Sequence, residues 1–324
     1  MNTQPLRVLT TIGVGGEPAG ILAPQSRAEL IAAAKSLWSS GDDWMILGGG
    51  SNVVIADEVP NLHVLKVETK GIEVLAPGHI RVEAGENWDE LVDFTVTHAW
   101  SGLESLSGIP GTAGAAPIQN IGAYGQEVSQ VIERIEFLDY ETHELVVLEA
   151  ADCGFGYRDS SFKRGRAGLV TWVEFRLLVD LPAGSHELMR RRRAEVLATR
   201  AAKGMVLDPT DADTASCGSF FTNPIVSDRF ARTLPEGAPR WDIAEDDGAT
   251  VKLSAAWLIE NSGIRKGFAI AGSNAAISSK HALAITNRGG ATAEEVVQLA
   301  RYIQDRVANQ WGVTLVPEPN LIGF

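Results

Sequence analysis

Apolar and polar positions along the chain follow two periods, and together they predict a structure that mixes helices with short strands. Stretches with apolar residues at helical spacing alternate with apolar runs short enough for single strands. The helical pattern begins after the capping residues Ser26, Asn87 and Thr292, and it recurs over 186–202 and 254–261. The strand pattern covers 21–23, 44–47, 64–67, 72–75, 80–84, 131–138, 145–148, 169–177, 282–286 and the tail 313–323.

Residues 107–125 break both periods, since they read SGIPGTAGAAPIQNIGAYG and carry almost no bulk and no charge. Glycine costs about 1 kcal/mol and proline about 3 kcal/mol at a helical position, so an ordinary helix is excluded here. Glycine has no Cβ and lets the backbone approach a flat ligand closely. One interpretation is a tight structural loop.

A second glycine loop lies upstream, directly after the apolar run 44–47, and reads LGGGSNVV from Leu47 to Val54. Successive backbone N–H groups in such a loop form an anion-binding concavity that suits a pyrophosphate. Two glycine loops that follow apolar runs favour a large, phosphate-bearing cofactor over the purely structural interpretation.

Composition narrows the class of protein. The chain of 324 residues is long enough for two or three domains. Its net charge of −13 argues against general nucleic-acid binding, which needs a basic surface. We expect a cytoplasmic protein, because the sequence shows neither a signal peptide nor an apolar run of bilayer length. The two cysteines can form neither a disulfide framework nor a cysteine-rich metal site.

Three polar residues stand out beside glycines, aromatics or prolines: Arg158, Ser219 and Glu318. Taken singly, each has a structural alternative: a hairpin cap, a serine turn and a surface carboxylate. No G-x-S-x-G motif surrounds Ser219, which disfavours a hydrolase nucleophile. The arginine run 190–193, taken alone, favours a solvated helix face. The residues by themselves therefore indicate a cofactor-using enzyme with two glycine loops.

Several long motifs occur along the chain in the order TTIGVGG, LGGGSNVV, AGENWDELV, GLESLSGIPGTAGAAPIQNIGAYGQE, FGYRDSSFK, GSFFTNP, LSAAWLIENSG and PEPNLIG. With these motifs in this order, the sequence resembles the UDP-N-acetylenolpyruvoylglucosamine reductase (MurB) family of flavoenzymes. The resemblance covers nearly the whole chain.

The resemblance implies an α+β FAD-binding fold of the vanillyl-alcohol-oxidase (PCMH) type, with two FAD subdomains and a C-terminal α/β substrate-binding domain. The domains would be 1–68, joined by the tail 313–324; 69–206; and 207–312.

The resemblance also implies the site residues. Arg158, Ser219 and Glu318 match catalytic positions, and Tyr157, Lys203 and Asn223 match substrate-binding positions. No metal site is implied. The positions that match FAD-binding residues are Leu47, Gly48, Gly49, Gly50, Ser51, Asn52, Val53, Leu106, Ile109, Pro110, Gly111, Thr112, Gly114, Ala115, Ile118, Gln119, Ile121, Gly122 and Tyr124.

The implied reaction is the NADPH-dependent reduction of UDP-N-acetylglucosamine enolpyruvate through bound FAD, a step of peptidoglycan precursor synthesis. We expect non-covalent FAD, because neither cysteine and none of the six histidines lies in the two glycine loops. We expect a monomer that binds a UDP-sugar and neither nucleic acid nor a membrane. The alternatives are an FAD-dependent oxidase of a small alcohol and a non-catalytic flavin- or sugar-nucleotide-binding protein.

One departure from the family concerns closure over the substrate. Some members carry a tyrosine-bearing loop there, whereas residues 181–203 of this chain contain four consecutive arginines and no tyrosine. We consider His186 or the arginine run as substitutes for that loop.

Overall fold

The computed structural model describes residues 4–243 and 249–324. They form two compact units, each assembled from separate parts of the chain. Unit 1 comprises residues 4–5, Glu17–Ser51 and Val59–Val206. Unit 2 comprises Leu6–Gly16, Asn52–Glu58 and Leu207–Phe324. The division into two FAD subdomains and a substrate domain stays a prediction.

The helices and strands are numbered in chain order. The helices are α1 Arg27–Ser40, α2 Trp88–Thr97, α3 Ser185–Ala202, α4 Asp228–Ala231, α5 Ala255–Glu260 and α6 Ala293–Trp311. The strands are β1 Pro18–Leu22, β2 Trp44–Leu47, β3 Val53–Ile55, β4 Val59–Lys66, β5 Ile72–Ala76, β6 His79–Glu83, β7 Gly122–Ala123, β8 Gln126–Glu127, β9 Ile132–Asp139, β10 Leu145–Glu149, β11 Gly168–Arg176, β12 Ile225–Ser227, β13 Arg240–Asp242, β14 Thr250–Leu253, β15 Ala275–Ile277, β16 Ile285–Asn287 and β17 Asn320–Ile322.

Unit 1 contains a parallel sheet in the order β1-β4-β2 and an antiparallel sheet in the order β10-β9-β11-β6-β5. The first helix shows why local signals suffice there. Ser26 and Glu29 form a capping box at its start, and Gly41 ends it in the left-handed conformation. Leu30, Ala34 and Trp38 recur at helical spacing and are buried in the core of the unit.

The four consecutive arginines of helix α3, residues 190–193, differ in how far they are exposed to solvent. Arg190 and Arg191 are exposed, as expected for a solvated face. Arg193 pairs instead with Asp89 and Asp93, and Arg192 donates to the Ser105 hydroxyl. The expectation of a solvated face is therefore wrong for half of the run, because acidic and polar partners from distant segments cover it.

Unit 2 combines small sheets with helices α5 and α6 around a second core. Its sheets have the order β12-β14-β13, β15-β16 and β17-β3. The last of these pairs the end of the chain with Val53–Ile55 in parallel register, Asn320 opposite Val53. The N-terminal segment also belongs here, since a Cβ atom at Gly16 would lie 2.0 Å from the Asp57 carbonyl oxygen.

The predicted elements of unit 1 are confirmed within a few residues, including the hairpin of β9 and β10. The predicted tail strand over 313–323 is wrong in extent, because only Asn320–Ile322 pairs with another strand. The three-residue strands β3, β12, β13 and β15 are absent from the prediction, since so short an element shows no period. None of the described helices has both the length and the apolar character required to cross a lipid bilayer.

Candidate active site

The two glycine loops meet within unit 1. A Cβ atom at Gly49 would lie 2.7 Å from the Gly111 Cα, and one at Gly48 would lie 2.7 Å from the Thr112 Oγ1. The Ser51 hydroxyl donates to the Pro110 carbonyl oxygen at 2.8 Å. Because no side chain fits at Gly49 without moving the opposite backbone, glycine is required for this approach.

The first loop has the geometry of an anion site. Within residues 4–243 and 249–324, the backbone N–H groups of Gly49 and Gly50 donate no hydrogen bond to the protein. Gly50 has a φ of 64°, which turns the chain between neighbouring N–H groups. Such unpaired, adjacent donors are what a phosphate oxygen requires.

A cavity of about 280 Å³ adjoins the loops within unit 1. Its walls are mostly apolar and aromatic, and residues of both glycine loops and Arg166 are among those that line it. The predicted FAD-binding residues that line it are Gly48, Thr112, Gly114, Ala115 and Ile118; the others around it include Trp44, Ile46, Val67, Phe137 and Phe162. Apolar walls beside an anion site suit a flat ring attached to a phosphate.

The second glycine loop is held in place by hydrogen bonds to the segment 84–89. The Gly114 N–H donates to the Ala84 carbonyl oxygen at 2.8 Å, and a Cβ atom at Gly114 would lie 2.5 Å from the Ala84 Cβ. The Gly108 N–H donates to the Asp89 carboxylate at 2.6 Å. Burial of that carboxylate works to raise its pKa, but hydrogen bonds from Arg193 and from the Gly108 N–H outweigh it and hold the pKa of Asp89 below its usual range.

Arg158 packs on the far end of the same glycine stretch, within unit 1. Its guanidinium donates to the carbonyl oxygen of Gly122 and lies over the Tyr157 ring, 5.3 Å from the centroid. Arg158, Asn120 and Tyr124 have φ values of 52°, 47° and 49°. Left-handed conformations at residues other than glycine are uncommon and often mark functional sites. Arg158 and Tyr157 therefore lie beside Gly122, one of the predicted FAD-binding residues.

Ser219 and Glu318 come together in unit 2 through paired backbone segments. The Glu318 N–H donates to the Phe220 carbonyl oxygen at 2.9 Å, and the Thr222 N–H donates to Val316 at 3.1 Å. Both Ser219 and Glu318 are partly exposed. The residue after Ser219 is thus opposite Glu318, an arrangement that their separation in sequence did not predict.

Two other segments of unit 2 hold the loop that carries Ser219, through hydrogen bonds to the residues before and after it. The Thr11 hydroxyl donates to the Ser216 carbonyl oxygen at 2.6 Å, and the Phe220 N–H donates to Leu283 at 2.7 Å. Gly218 has a φ of 70°, which allows the turn just before Ser219. The TTIGVGG motif at the N-terminus therefore supports the serine loop.

The remaining predicted substrate residues stand at helix ends. Lys203 ends α3, and its N–H donates to the Arg200 carbonyl oxygen at 3.0 Å, in unit 1. The Asn223 Oδ1 accepts from the Ala255 N–H at 3.0 Å and caps α5, in unit 2. Neither arrangement by itself identifies a ligand.

Lys66 is a residue of this site that sequence reasoning missed. Its ammonium donates a hydrogen bond to the Gly48 carbonyl oxygen, and burial lowers its pKa. The available signal was a lysine inside the apolar run Val64-Leu65-Lys66-Val67, whose strand pairs with the strand that enters the glycine loop. A charged residue at such a position needs a nearby partner.

A cluster of titratable side chains around His79 lies outside this arrangement. His79 Nε2 is 3.2 Å from carboxylate oxygens of both Glu133 and Glu174. Arg81 and Arg134 also bind Glu174, so the cluster is an ion-pair network on the antiparallel sheet.

Burial raises the pKa of the Cys153 thiol to about 11 and that of Cys217 to about 12. Both thiols are therefore protonated at neutral pH.

Sequence and structure comparisons agree with one another. Residues 208–322 match the family model for the C-terminal domain of UDP-N-acetylenolpyruvoylglucosamine reductase, and residues 18–148 match an FAD binding domain. The reductase of Leifsonia xyli subsp. xyli is 48% identical over 98% of both chains. That of Thermobifida fusca is 43% identical over 98% of this chain and 97% of its own.

A solved structure extends the likeness to the fold. The crystal structure of the reductase from Thermus caldophilus gives a TM-score of 0.71 at 28% identity, and the alignment covers 99% of this chain and 98% of that one.

Proposed function

Because the chain belongs to the UDP-N-acetylenolpyruvoylglucosamine reductase family, we propose specific roles for its residues in that reaction. The protein is an FAD-containing oxidoreductase with the α+β FAD-binding fold. It reduces UDP-N-acetylglucosamine enolpyruvate to UDP-N-acetylmuramate with NADPH, in peptidoglycan precursor synthesis. What remains to be assigned is which side chains perform each task.

The close approach of Gly49 to Gly111 is the observation that carries the cofactor assignment. We assign the pyrophosphate to the N–H groups of residues 48–52 and the rings to the apolar surfaces around residues 106–124. When bound, FAD supplies a hydride acceptor for NADPH and a hydride donor for the enolpyruvyl double bond. The glycine loops present backbone without side chains where the two loops approach each other most closely.

Arg158 is assigned to the negative charge of the reaction. Hydride addition to the vinyl carbon places a carbanion next to the substrate carboxylate, as an enolate-like species. A guanidinium stays charged at every relevant pH and binds a carboxylate through two parallel hydrogen bonds. Its hydrogen bond to the Gly122 carbonyl oxygen fixes the guanidinium before substrate binds, which lowers the cost of reorganisation.

Ser219 is assigned as the proton donor to that carbanion, and Glu318 as the residue that orients the enolate-like group. A hydroxyl is a weak acid, but a developing carbanion is basic enough to take its proton. The proton must then be replaced from a lysine or water. The Glu318–Phe220 backbone hydrogen bond supports a shared role, because it couples the position of the carboxylate segment to that of the serine loop.

Tyr157, Lys203 and Asn223 are assigned to substrate binding. The Lys203 ammonium suits a diphosphate oxygen, and the Asn223 amide Nδ2 suits a sugar or phosphate oxygen, since Oδ1 is used in capping α5. We further propose that the protein acts in the cytoplasm as a monomer and binds no nucleic acid, which its net charge of −13 supports.

The experiment that tests the function measures NADPH consumption by purified protein with and without the enolpyruvyl sugar nucleotide. We expect a yellow protein that releases flavin on acid denaturation and consumes NADPH in proportion to product. Folded protein that does not take up added FAD, or NADPH oxidation independent of the sugar nucleotide, would contradict the proposal.

A further inference from the structure

Lys66 lies beside the start of the first glycine loop, where its ammonium is close to buried apolar residues and binds a backbone oxygen. Strand β4 runs between β1 and β2, and Lys66 is opposite Leu47, the last residue before the loop. Its neighbours Leu65 and Val67 are buried. The register of β4 with β2 therefore places Lys66 next to the residue at which the loop begins.

The ammonium binds the loop through one particular atom, the carbonyl oxygen of Gly48. The described peptide bonds are all trans, so the C=O of Gly48 and the N–H of Gly49 point in opposite directions from one peptide plane. An ammonium that holds the carbonyl on one side therefore turns the Gly49 N–H to the other side. That N–H donates no hydrogen bond to the described residues.

The same contact also strengthens the donor. A cation on the carbonyl oxygen polarises the peptide, and hydrogen bonds arranged in series reinforce one another in a low-dielectric environment. Thr112 and Gly111 leave no room for a Cβ atom at Gly48 or at Gly49, so the second glycine loop lies close to this peptide. The Gly48–Gly49 peptide therefore lies beside both the Lys66 ammonium and the second glycine loop.

We propose that Lys66 is a positioning residue for the cofactor: it fixes the Gly48–Gly49 peptide so that the Gly49 N–H meets a pyrophosphate oxygen. The inference rests on the proposed assignment of residues 48–52 to the pyrophosphate. Lys66 acts through the peptide and its ammonium stays on the Gly48 carbonyl oxygen.

The test compares FAD dissociation constants of deflavinated Lys66→Met, Lys66→Arg and Lys70→Met with that of the wild type. Lys66→Met keeps the length of the side chain and removes its donor, so FAD binding should weaken about 10- to 100-fold, the range set by one charge-assisted hydrogen bond. Lys66→Arg retains a cationic donor and should recover most of the affinity. Lys70 is an exposed lysine on the same stretch and pairs with Glu86, so Lys70→Met should bind FAD like the wild type.

ADP, which carries the pyrophosphate without the flavin, is the second probe. Its inhibition constant against FAD should rise in Lys66→Met by the same factor as the FAD dissociation constant. If FAD binding weakens and ADP binding does not, the lysine does not act at the pyrophosphate and the inference is wrong.

Two outcomes separate this inference from its premise. Gly49→Ala adds a Cβ between the loops and should abolish tight FAD binding; wild-type affinity in that variant would overturn the loop assignment itself. If Gly49→Ala loses FAD while Lys66→Met binds it within about threefold of the wild type, only the role of Lys66 fails. Equal weakening in Lys66→Met and Lys66→Arg, with lower melting temperatures of both apoproteins, would show a structural lysine and also overturn it.

Discussion

The side-chain amide of Asn52 donates a hydrogen bond to the backbone carbonyl oxygen of Glu318, with 3.3 Å between Nδ2 and O. The Asn320 N–H returns one to the Asn52 carbonyl oxygen at 3.0 Å. The end of the first glycine loop and the proposed catalytic glutamate are therefore fastened to each other within unit 2. Cofactor placement and the position of Glu318 should respond together to changes at Asn52.

We predict that Asn52→Asp lowers turnover at saturating FAD by about fivefold, because a carboxylate cannot donate to the Glu318 carbonyl and the loss of one hydrogen bond is worth about 1 kcal/mol. Steady-state kinetics at saturating substrate measure the effect. Asn61→Asp, at an exposed position of β4, is the matched control. Unchanged turnover in Asn52→Asp would show that this contact does not support the reaction.

Ser219→Ala should separate the two half-reactions. The proposed proton donation follows hydride transfer to the sugar nucleotide, so anaerobic bleaching of the flavin by NADPH should keep its wild-type rate. Reoxidation by the enolpyruvyl substrate should slow by orders of magnitude, since an interaction made only in that transition state is lost. Stopped-flow absorbance at the flavin band measures both steps.

The control for Ser219 is Thr222→Ala in the same loop, whose hydroxyl donates a hydrogen bond to the Val316 carbonyl oxygen. Both half-reactions should stay close to wild type in that variant. Equal slowing of both steps in Ser219→Ala, or a second step of normal speed, would rule out the proton-donor role.

Arg158→Ala should lower turnover by about 10²–10³, the usual effect of removing one group that stabilises charge in a transition state. Because the guanidinium also binds the Gly122 carbonyl oxygen, FAD content should be measured alongside turnover. Arg164→Ala is the control, since this neighbouring arginine pairs with Asp159 and the Gly154 carbonyl oxygen. Full turnover of FAD-loaded Arg158→Ala would remove Arg158 from the mechanism.

Asp89 gives a prediction for the pH dependence of stability. Its folded-state pKa lies below the usual value because hydrogen bonds from Arg193 and Gly108 outweigh the effect of burial. A depressed pKa contributes stability above the unfolded-state pKa of about 3.9, and this contribution is lost as the pH falls through the folded-state pKa. Asp89→Asn should therefore melt several degrees below wild type at pH 7, and the difference should shrink progressively as the pH falls below that unfolded-state pKa.

Thermal unfolding of the apoprotein across this pH range provides the check. Asp93→Asn is the control: Asp93 also contacts Arg193, but its side chain is 63% exposed, and surface ion pairs contribute little. A constant melting difference between Asp89→Asn and wild type at all pH values would show that the charge of Asp89 is not what stabilises the loop.

Local signals predicted the long elements of this fold, and contacts between distant segments account for what they missed. Ser26 and Glu29, or Thr292 and Glu295, define a helix start from four adjacent residues, and both capping boxes are confirmed. The meeting of Gly49 with Gly111 leaves no local trace beyond the glycines themselves.

The site shows the same limit. The motifs singled out Arg158, Ser219 and Glu318, yet nothing near Glu318 in sequence indicates that its N–H reaches the Phe220 carbonyl oxygen. Lys66 escaped notice because its partner is a backbone oxygen of the glycine loop that follows the neighbouring strand β2. A backbone partner carries no residue type that a pattern could detect.

The parallel pairing of β17 with β3 imposes an order on the synthesis of this protein. Val53–Ile55 leave the ribosome long before Asn320–Ile322, the strand that pairs with them. Unit 1 ends at Val206 and can begin to fold while translation continues. Unit 2, with Ser219 and Glu318, can be completed only after Asn320–Ile322 have left the ribosome. A nascent chain stalled short of Asn320 therefore lacks the closing strand of the unit that holds two of its three proposed catalytic residues.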